Sequence, residues 1–218
     1  MSGLLSKFAT VGGASMASRV LGFFREALLA AALGAGPVAD VFYTWFRFPN
    51  LFRRLFAEGA FNIAFVPLFA KELEGGGEEA ARKFGQEVFS VLASWLLLFT
   101  ALAILVMPWL VATVVAPGFV DTPEKFDLSV TMTRIMFPYL LCMSLTALFS
   151  GVLNSLGRFG APAAAPVILN VILIGFMAVA SALALPVGDS LAVGVLIAGF
   201  AQVALVAWAA KVAGMGLG

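Results

Sequence analysis

Four long stretches of the sequence contain no charged side chain, and they constrain the fold more than any other feature. They cover residues 88–120, 135–157, 159–188 and 190–210. Because about 20 apolar residues suffice for a helix to cross a bilayer, each stretch can hold one membrane span. The whole sequence is 62% hydrophobic and only 11% charged, whereas soluble domains are about 25% charged. We therefore predict an all-α, polytopic membrane protein.

Two further spans are predicted from the first 70 residues, which are apolar but interrupted by ionisable side chains. The segment GAPAAAP, residues 160–166, has prolines suited to a helix start, so one helix is placed from residue 163. The polar segment KELEGGGEEAARK, residues 71–83, is predicted to be a solvated loop. The six predicted spans are 8–33, 38–70, 86–115, 128–156, 163–186 and 190–211.

Basic residues in the short loops predict the orientation, because they resist translocation across the membrane. With a cytoplasmic amino terminus, six basic residues lie inside, against Lys125 alone outside. Six spans then return the carboxyl terminus to the cytoplasm. The first apolar segment carries Arg19, Arg25 and Glu26, so no cleaved signal peptide is expected. The inner basic residues are Lys7, Lys71, Arg82, Lys83, Arg158 and Lys211.

Other compositional features exclude several kinds of site. The sequence has no histidine, and Cys142 is its single cysteine, so no metal site and no intrachain disulfide are predicted. A net charge of +1 gives no support to a nucleic-acid partner. No nucleotide-binding motif or cofactor motif is present.

Charge is concentrated between residues 19 and 58, where arginine is the only basic residue type. An arginine or aspartate at a helix centre costs about 2.5–3.5 kcal/mol even on lenient insertion scales. These side chains should therefore face one another or a watery cavity rather than lipid. Complete pairing would still leave an excess of two positive charges. The cluster comprises Arg19, Arg25, Arg47, Arg53 and Arg54, with Glu26, Asp40 and Glu58.

Helical phase divides the cluster into faces. On an ideal helix Asp40, Arg47, Arg54 and Glu58 fall within about 40° of one another, whereas Arg53 points elsewhere. Pro49 lies between them and disturbs this phase. In the first span Arg19 shares a face with Glu26, and Arg25 is displaced from Arg19 by about 120°.

The preference for arginine over lysine suggests a phosphate ligand. A planar guanidinium grips phosphate oxygens through paired donors and stays charged when desolvated, so a diphosphate fits. The alternative is structural: the arginines pair with carboxylates and lock helices together, or lie near cytoplasmic lipid headgroups. Both interpretations remain open from the residues alone.

Several segments resemble the MurJ/MviN-type lipid II flippases of the multidrug/oligosaccharidyl-lipid/polysaccharide exporter superfamily. The similar strings are SRVLGFFRE (18–26), FRRLFAEGAF (52–61) and LNSLGRFGAPAAAPVILN (153–170). The resemblance implies an inner-membrane transporter, not an enzyme, which moves lipid II from the cytoplasmic to the periplasmic leaflet by alternating access. It places Arg19, Arg25 and Arg53 near the lipid diphosphate. It marks Asp40, Glu58 and Ala30 as functionally sensitive, and Glu26 stands where Asp is common.

One departure from that family pattern concerns length. Family members have two six-helix lobes with the cavity between them, and this sequence corresponds to the first lobe. The second-lobe arginine and the sodium site of the family have no counterpart in it. The sequence is therefore expected to be a fragment, completed by a second lobe or a second chain.

Three other function classes remain as alternatives. An exporter of another polyprenyl-diphosphate-linked glycan or of a small molecule would use the same fold. A membrane-embedded enzyme acting on a polyprenyl diphosphate would also need arginines, although the acids here are dispersed. A structural or pore-forming subunit is the third.

Overall fold

The computed structural model describes the backbone of residues 2–56 and 60–217, and the side chains of residues 11–46, 61 and 63–217. Every regular element in this part of the chain is helical, as predicted. A short π-helix (Val111–Val115) and a 3-10 turn (Pro117–Phe119) follow the fourth α-helix. The α-helices are α1 (Ser2–Leu33), α2 (Pro37–Phe56), α3 (Ala60–Leu105), α4 (Met107–Leu110), α5 (Pro123–Met136), α6 (Tyr139–Ser155), α7 (Gly160–Ala182) and α8 (Val187–Val212).

Four segments in the described ranges are long and apolar enough to cross a membrane. They are Ile63–Leu105, Pro123–Ser155, Gly160–Ala182 and Val187–Val212. Large apolar side chains such as Trp95 and Leu105 are mostly exposed on the outside of the fold. A lipid environment would solvate such a surface, because lipid tails are themselves apolar.

Helix α3 reverses direction at Gly77. The Phe65 and Phe84 rings stack with centroids 5.8 Å apart, whereas a straight helix would separate these residues by about 28 Å. Gly77 has φ 73° and ψ −169°, a conformation available chiefly to glycine. The loop predicted for residues 71–83 is therefore wrong, because the segment is helical on both sides of Gly77. Its Glu, Ala, Lys and Arg residues favour helix, and one glycine suffices for the turn.

Prolines divide two of the predicted spans. Within 86–115, α3 ends at Leu105, close to Pro108, and α4 and the π-helix continue the segment. Within 128–156, Pro138 lies between α5 and α6. Proline has no N–H for the helical ladder and its ring clashes with the preceding turn, so helices break or bend there.

Arg134 of α5 caps a carbonyl near the first of these breaks. Its Nε donates to the Ile104 carbonyl oxygen at 3.3 Å. Residue 108, four positions after Ile104, would supply the helical donor for that oxygen, but it is Pro108. Arg134 therefore satisfies a carbonyl that the proline leaves unpaired, and it ties α5 to the end of α3.

Arg134→Met should lower the free energy of unfolding by about 1–2 kcal/mol, because it removes the donor and leaves the Ile104 carbonyl unpaired. Denaturant titration in lipid nanodiscs measures this. Arg158→Met is the matched control, since Arg158 is exposed in the α6–α7 turn, and its effect should stay within about 0.5 kcal/mol. Equal losses in the two variants would show that the Arg134 contact is not stabilising.

The core of the described residues comprises three groups of buried side chains, and α6, α7 and α8 contribute to the two larger ones. Helix α7 packs between α1 and α8, and α6 packs against α8 and α3. The α6–α8 contact is close: a Cβ added at Gly199 would lie 2.6 Å from Tyr139 Cδ2. One of these two includes Trp45, Met136 and Leu173, and the other includes Phe69, Leu148 and Val206.

A candidate anion-binding cleft

A cavity of about 370 Å³ lies between α1, α6 and α7, with α8 and Phe46 of α2 completing its wall. It adjoins a second cavity of about 640 Å³, with which it shares Ser18, Arg19 and Asn154 among other residues. Together they form one cleft along α1. Its polar lining in the first cavity comprises Ser18, Arg19, Arg25, Tyr139, Thr146, Ser150, Asn154, Asn170 and Gln202.

Two arginines that were predicted as site residues from the sequence line this cleft. Arg19 and Arg25 both line the first cavity, although helical phase displaces them by about 120°. The cleft is wide enough to contact both sides of α1 at this point. Arg19 is exposed, whereas the Arg25 side chain is only 12% exposed. Among the side chains described around the first cavity there is no carboxylate, so its lining carries net positive charge.

The Arg25 guanidinium is held by three neighbours. Its Nη1 donates to Asn170 Oδ1 at 2.8 Å, and its Nη2 is paired with the carboxylate of Glu26. Its Cζ lies 5.3 Å from the centroid of the Phe46 ring, within the range of a cation–π contact. The Glu26 side chain is 49% exposed, so solvent screens and weakens that ion pair.

Two polar atoms of the cleft are buried and have no hydrogen-bond partner among the described residues. They are Arg25 Nε and Thr146 Oγ1. Leaving a buried donor unpaired costs about 1–3 kcal/mol, and such groups are concentrated at functional sites. Both residues line the first cavity, so these unpaired groups border the space that an anion would occupy. The geometry therefore suits an oxyanion ligand.

The other predicted site residues lie elsewhere or outside the description. Asp40 is in the first turn of α2 and accepts from Lys125 Nζ at 2.6 Å. Asp40 thus has a partner in α5, and Lys125 also lies 4.2 Å from the Phe119 ring centroid. Ala30 is exposed on α1 and does not line either cavity. The side chains of Arg47, Arg53 and Arg54 and the whole of Glu58 are outside the described residues.

The neutral polar residues of the cleft were not predicted from the sequence. Asn170 and Gln202 are each 4% exposed. Gln202 Nε2 donates to the Ala165 carbonyl at 2.8 Å, and its Oε1 accepts from the Tyr139 hydroxyl at 3.3 Å. The sequence did contain an indication of both residues. Each is the single Asn or Gln in a long stretch without charged residues, 159–188 for Asn170 and 190–210 for Gln202. Polar groups in a span usually face protein or cavity rather than lipid.

Comparisons with known proteins give consistent results. The family model described as Lipid II flippase MurJ matches residues 29–217. The probable lipid II flippase MurJ of Rhizobium tropici is 56% identical over 99% of this chain and 41% of that protein. Its counterpart in Rhizobium meliloti (strain 1021) is 57% identical over the same shares. A solved structure titled "Lipid II flippase MurJ, inward closed conformation" has a TM-score of 0.76 at 28% identity, covering 90% of this chain and 40% of that one.

The fold and the cleft define an all-helical, multi-pass bacterial membrane protein with an arginine-lined cavity. More particularly, the chain belongs to the lipid II flippase MurJ family, since the family model covers most of its length. It spans about 41% of the length of the two rhizobial relatives.

Proposed function

We propose that this chain forms the amino-terminal lobe of a lipid II flippase of the bacterial inner membrane. The proposal rests on one observation: Arg19 and Arg25 both line one cavity, and the described lining of that cavity holds no carboxylate. Guanidinium groups suit a diphosphate because they offer paired donors and keep their charge when desolvated. Family membership supports undecaprenyl-diphosphate-linked peptidoglycan precursor as the lipid that carries this diphosphate.

The proposed topology has six spans. Helix α3 has two arms, residues 60–76 and 78–105. The first span is α1, the second combines α2 with the first arm of α3, and the third is the second arm of α3. The fourth span combines α5 and α6, the fifth is α7 and the sixth is α8. The reversal at Gly77 supports this count because it makes the two arms of α3 antiparallel. The excess of basic residues on one side supports cytoplasmic termini.

The proposed mechanism is non-covalent. A lipid headgroup enters the cleft from the cytoplasmic side, and its phosphate charge is neutralised by Arg19, Arg25 and Arg53. Arg53 is included because of the family resemblance alone. Neutralisation lowers the cost of closing the cytoplasmic side, and rocking against a second lobe opens the site outward. The apolar tail stays in lipid. The second lobe is supplied by the same polypeptide or by another chain.

Ligand selectivity tests the class of substrate. A fluorescent farnesyl diphosphate analogue should bind the purified chain in lipid nanodiscs and be displaced by farnesyl diphosphate. Farnesol, which lacks the anion, and ethidium, a cationic drug, should compete at least about tenfold less well. Stronger competition by ethidium would favour a drug exporter, and release of inorganic phosphate would favour an enzyme.

Transport tests the activity itself. Intact mass spectrometry of the endogenous product, detected with an antibody to residues 71–83, establishes the polypeptide to be used. In that polypeptide, Arg25→Ala combined with Arg53→Ala should abolish lipid II translocation in proteoliposomes. Normal translocation by this double variant would refute the proposed role of the arginines.

A further inference from the structure

Asn170 is the residue of α7 that contacts Arg25, and both ends of its carboxamide are engaged. The Nδ2 atom donates to the Ser18 carbonyl oxygen at 3.0 Å, while Oδ1 accepts from Arg25 Nη1. A backbone carbonyl can only accept, so the amide nitrogen must face Ser18 and the amide oxygen must face Arg25. The orientation of the acceptor offered to Arg25 is thereby fixed.

The surface of α1 is shaped for this contact. A Cβ added at Gly22 would lie 3.8 Å from Asn170 Nδ2, so the amide lies against the bare backbone of α1 at this turn. On another side of the guanidinium the Phe46 ring packs at 5.3 Å. Asn170 and Phe46 thus hold Arg25 from two helices other than its own. The Nε donor is left buried and without a protein partner in the described structure.

We infer that Asn170 is a positioning residue for the anion site, and this inference rests on the proposed function. A carboxamide accepts a hydrogen bond from Arg25 without cancelling its positive charge. An aspartate in the same place would form a buried ion pair and compete with a phosphate for the guanidinium. The neutral amide therefore fixes the direction of Arg25 without adding a buried carboxylate to the half-exposed Glu26 that already pairs with it, and it leaves the Nε donor unpaired among the described residues.

The test is a double-mutant cycle with farnesyl diphosphate as the probe. It uses the endogenous-length polypeptide in lipid nanodiscs, and affinity is measured by isothermal titration calorimetry. Asn170→Asp should weaken binding by about 30-fold and Asn170→Ala by about fivefold, because they neutralise or release Arg25. In an Arg25→Ala background Asn170→Ala should add less than about a twofold change, since Asn170 acts through Arg25. Asn170→Asp should there weaken binding no more than Gln202→Glu does, because only its through-space repulsion of the anion remains.

Gln202→Glu is the matched control for the acidic variant. It converts another amide of the same cavity to an acid, at a residue whose contacts are Tyr139 and Ala165 rather than Arg25. Its effect on affinity should be similar with and without Arg25, because it acts on the anion through space. The uncharged Asn170→Ala variant completes the same cycle if the acidic variant does not fold.

The outcomes separate this inference from the proposed function. If Arg25→Ala leaves farnesyl diphosphate affinity unchanged, the proposed anion site is wrong. If Arg25→Ala weakens binding but the Asn170 variants bind like wild type, only the inference about Asn170 fails. It also fails if the Asn170 substitutions weaken binding equally in both backgrounds, because a positioning residue requires the group that it positions.

Discussion

Replacing Arg25 with alanine is expected to weaken farnesyl diphosphate binding by about 100-fold, since hydrogen bonds to charged groups contribute about 1.5–3 kcal/mol each. Arg25→Lys keeps the positive charge but loses the planar fork and the Nε donor that is unpartnered in the described cleft. It should therefore bind about tenfold more weakly than wild type. Titration calorimetry in nanodiscs at fixed salt gives both values.

The control for the Arg25 variants is Lys125→Ala. It removes the same unit charge from a residue that pairs with Asp40 and does not line the described cleft. Its affinity for farnesyl diphosphate should remain within about twofold of wild type, because the charge of Lys125 is paired with Asp40 and lies outside the cleft. If Arg25→Lys bound as tightly as wild type, charge alone would matter and the directed Nε donor would have no role.

Gly199→Val is expected to lower the free energy of unfolding by about 3 kcal/mol or more, because overpacking a close helix contact forces side chains and backbone apart. A Cβ at this position would lie 2.6 Å from Tyr139 Cδ2 and 2.9 Å from Cys142 Cβ. Displacing Tyr139 would also disturb its hydrogen bond with Gln202. Denaturant titration in nanodiscs measures the loss.

Gly175→Val is the matched control, since Gly175 lies on an exposed face of α7 and a Cβ there meets nothing within 4 Å. This variant should be neutral or slightly stabilising, because valine has the higher helix propensity. A stability for Gly199→Val equal to that of the control would mean that α6 and α8 are not in close contact at this point.

The helical class of the fold could be predicted because the uncharged runs are long and apolar. Helices α7 and α8 each occupy most of one run. The breaks were harder to predict. Pro108 and Pro138 lie inside uncharged runs, but whether a proline bends a helix or ends it depends on which neighbour satisfies the freed carbonyl. Arg134, which satisfies Ile104, is distant in sequence. The polar segment 71–83 was misjudged because its glycines outweighed its strong helix formers.

The arginines of the cleft could be predicted because charge in an apolar segment is a strong signal. Their partners could not. The helical stripe predicted for α2 includes Asp40 but gives no sign of Lys125, a residue assigned to a loop, with which the structure pairs Asp40. Asn170 carries no charge, and its contact with Arg25 joins helices 145 positions apart in sequence. Such contacts depend on how α1 and α7 cross, which helical periodicity within one segment does not specify.

The reversal at Gly77 makes the polar end of α3 a helical hairpin whose two arms are directly coupled. Two helical arms meet at one residue and are held in register by the stacked Phe65 and Phe84 rings. Two helices joined by a long loop could slide past each other, but the two arms of α3 cannot do so without separating the Phe65 and Phe84 rings. One arm leads back towards α2 and the other into the apolar segment that ends at Leu105, so a displacement of one of these parts along the other would separate the stacked rings.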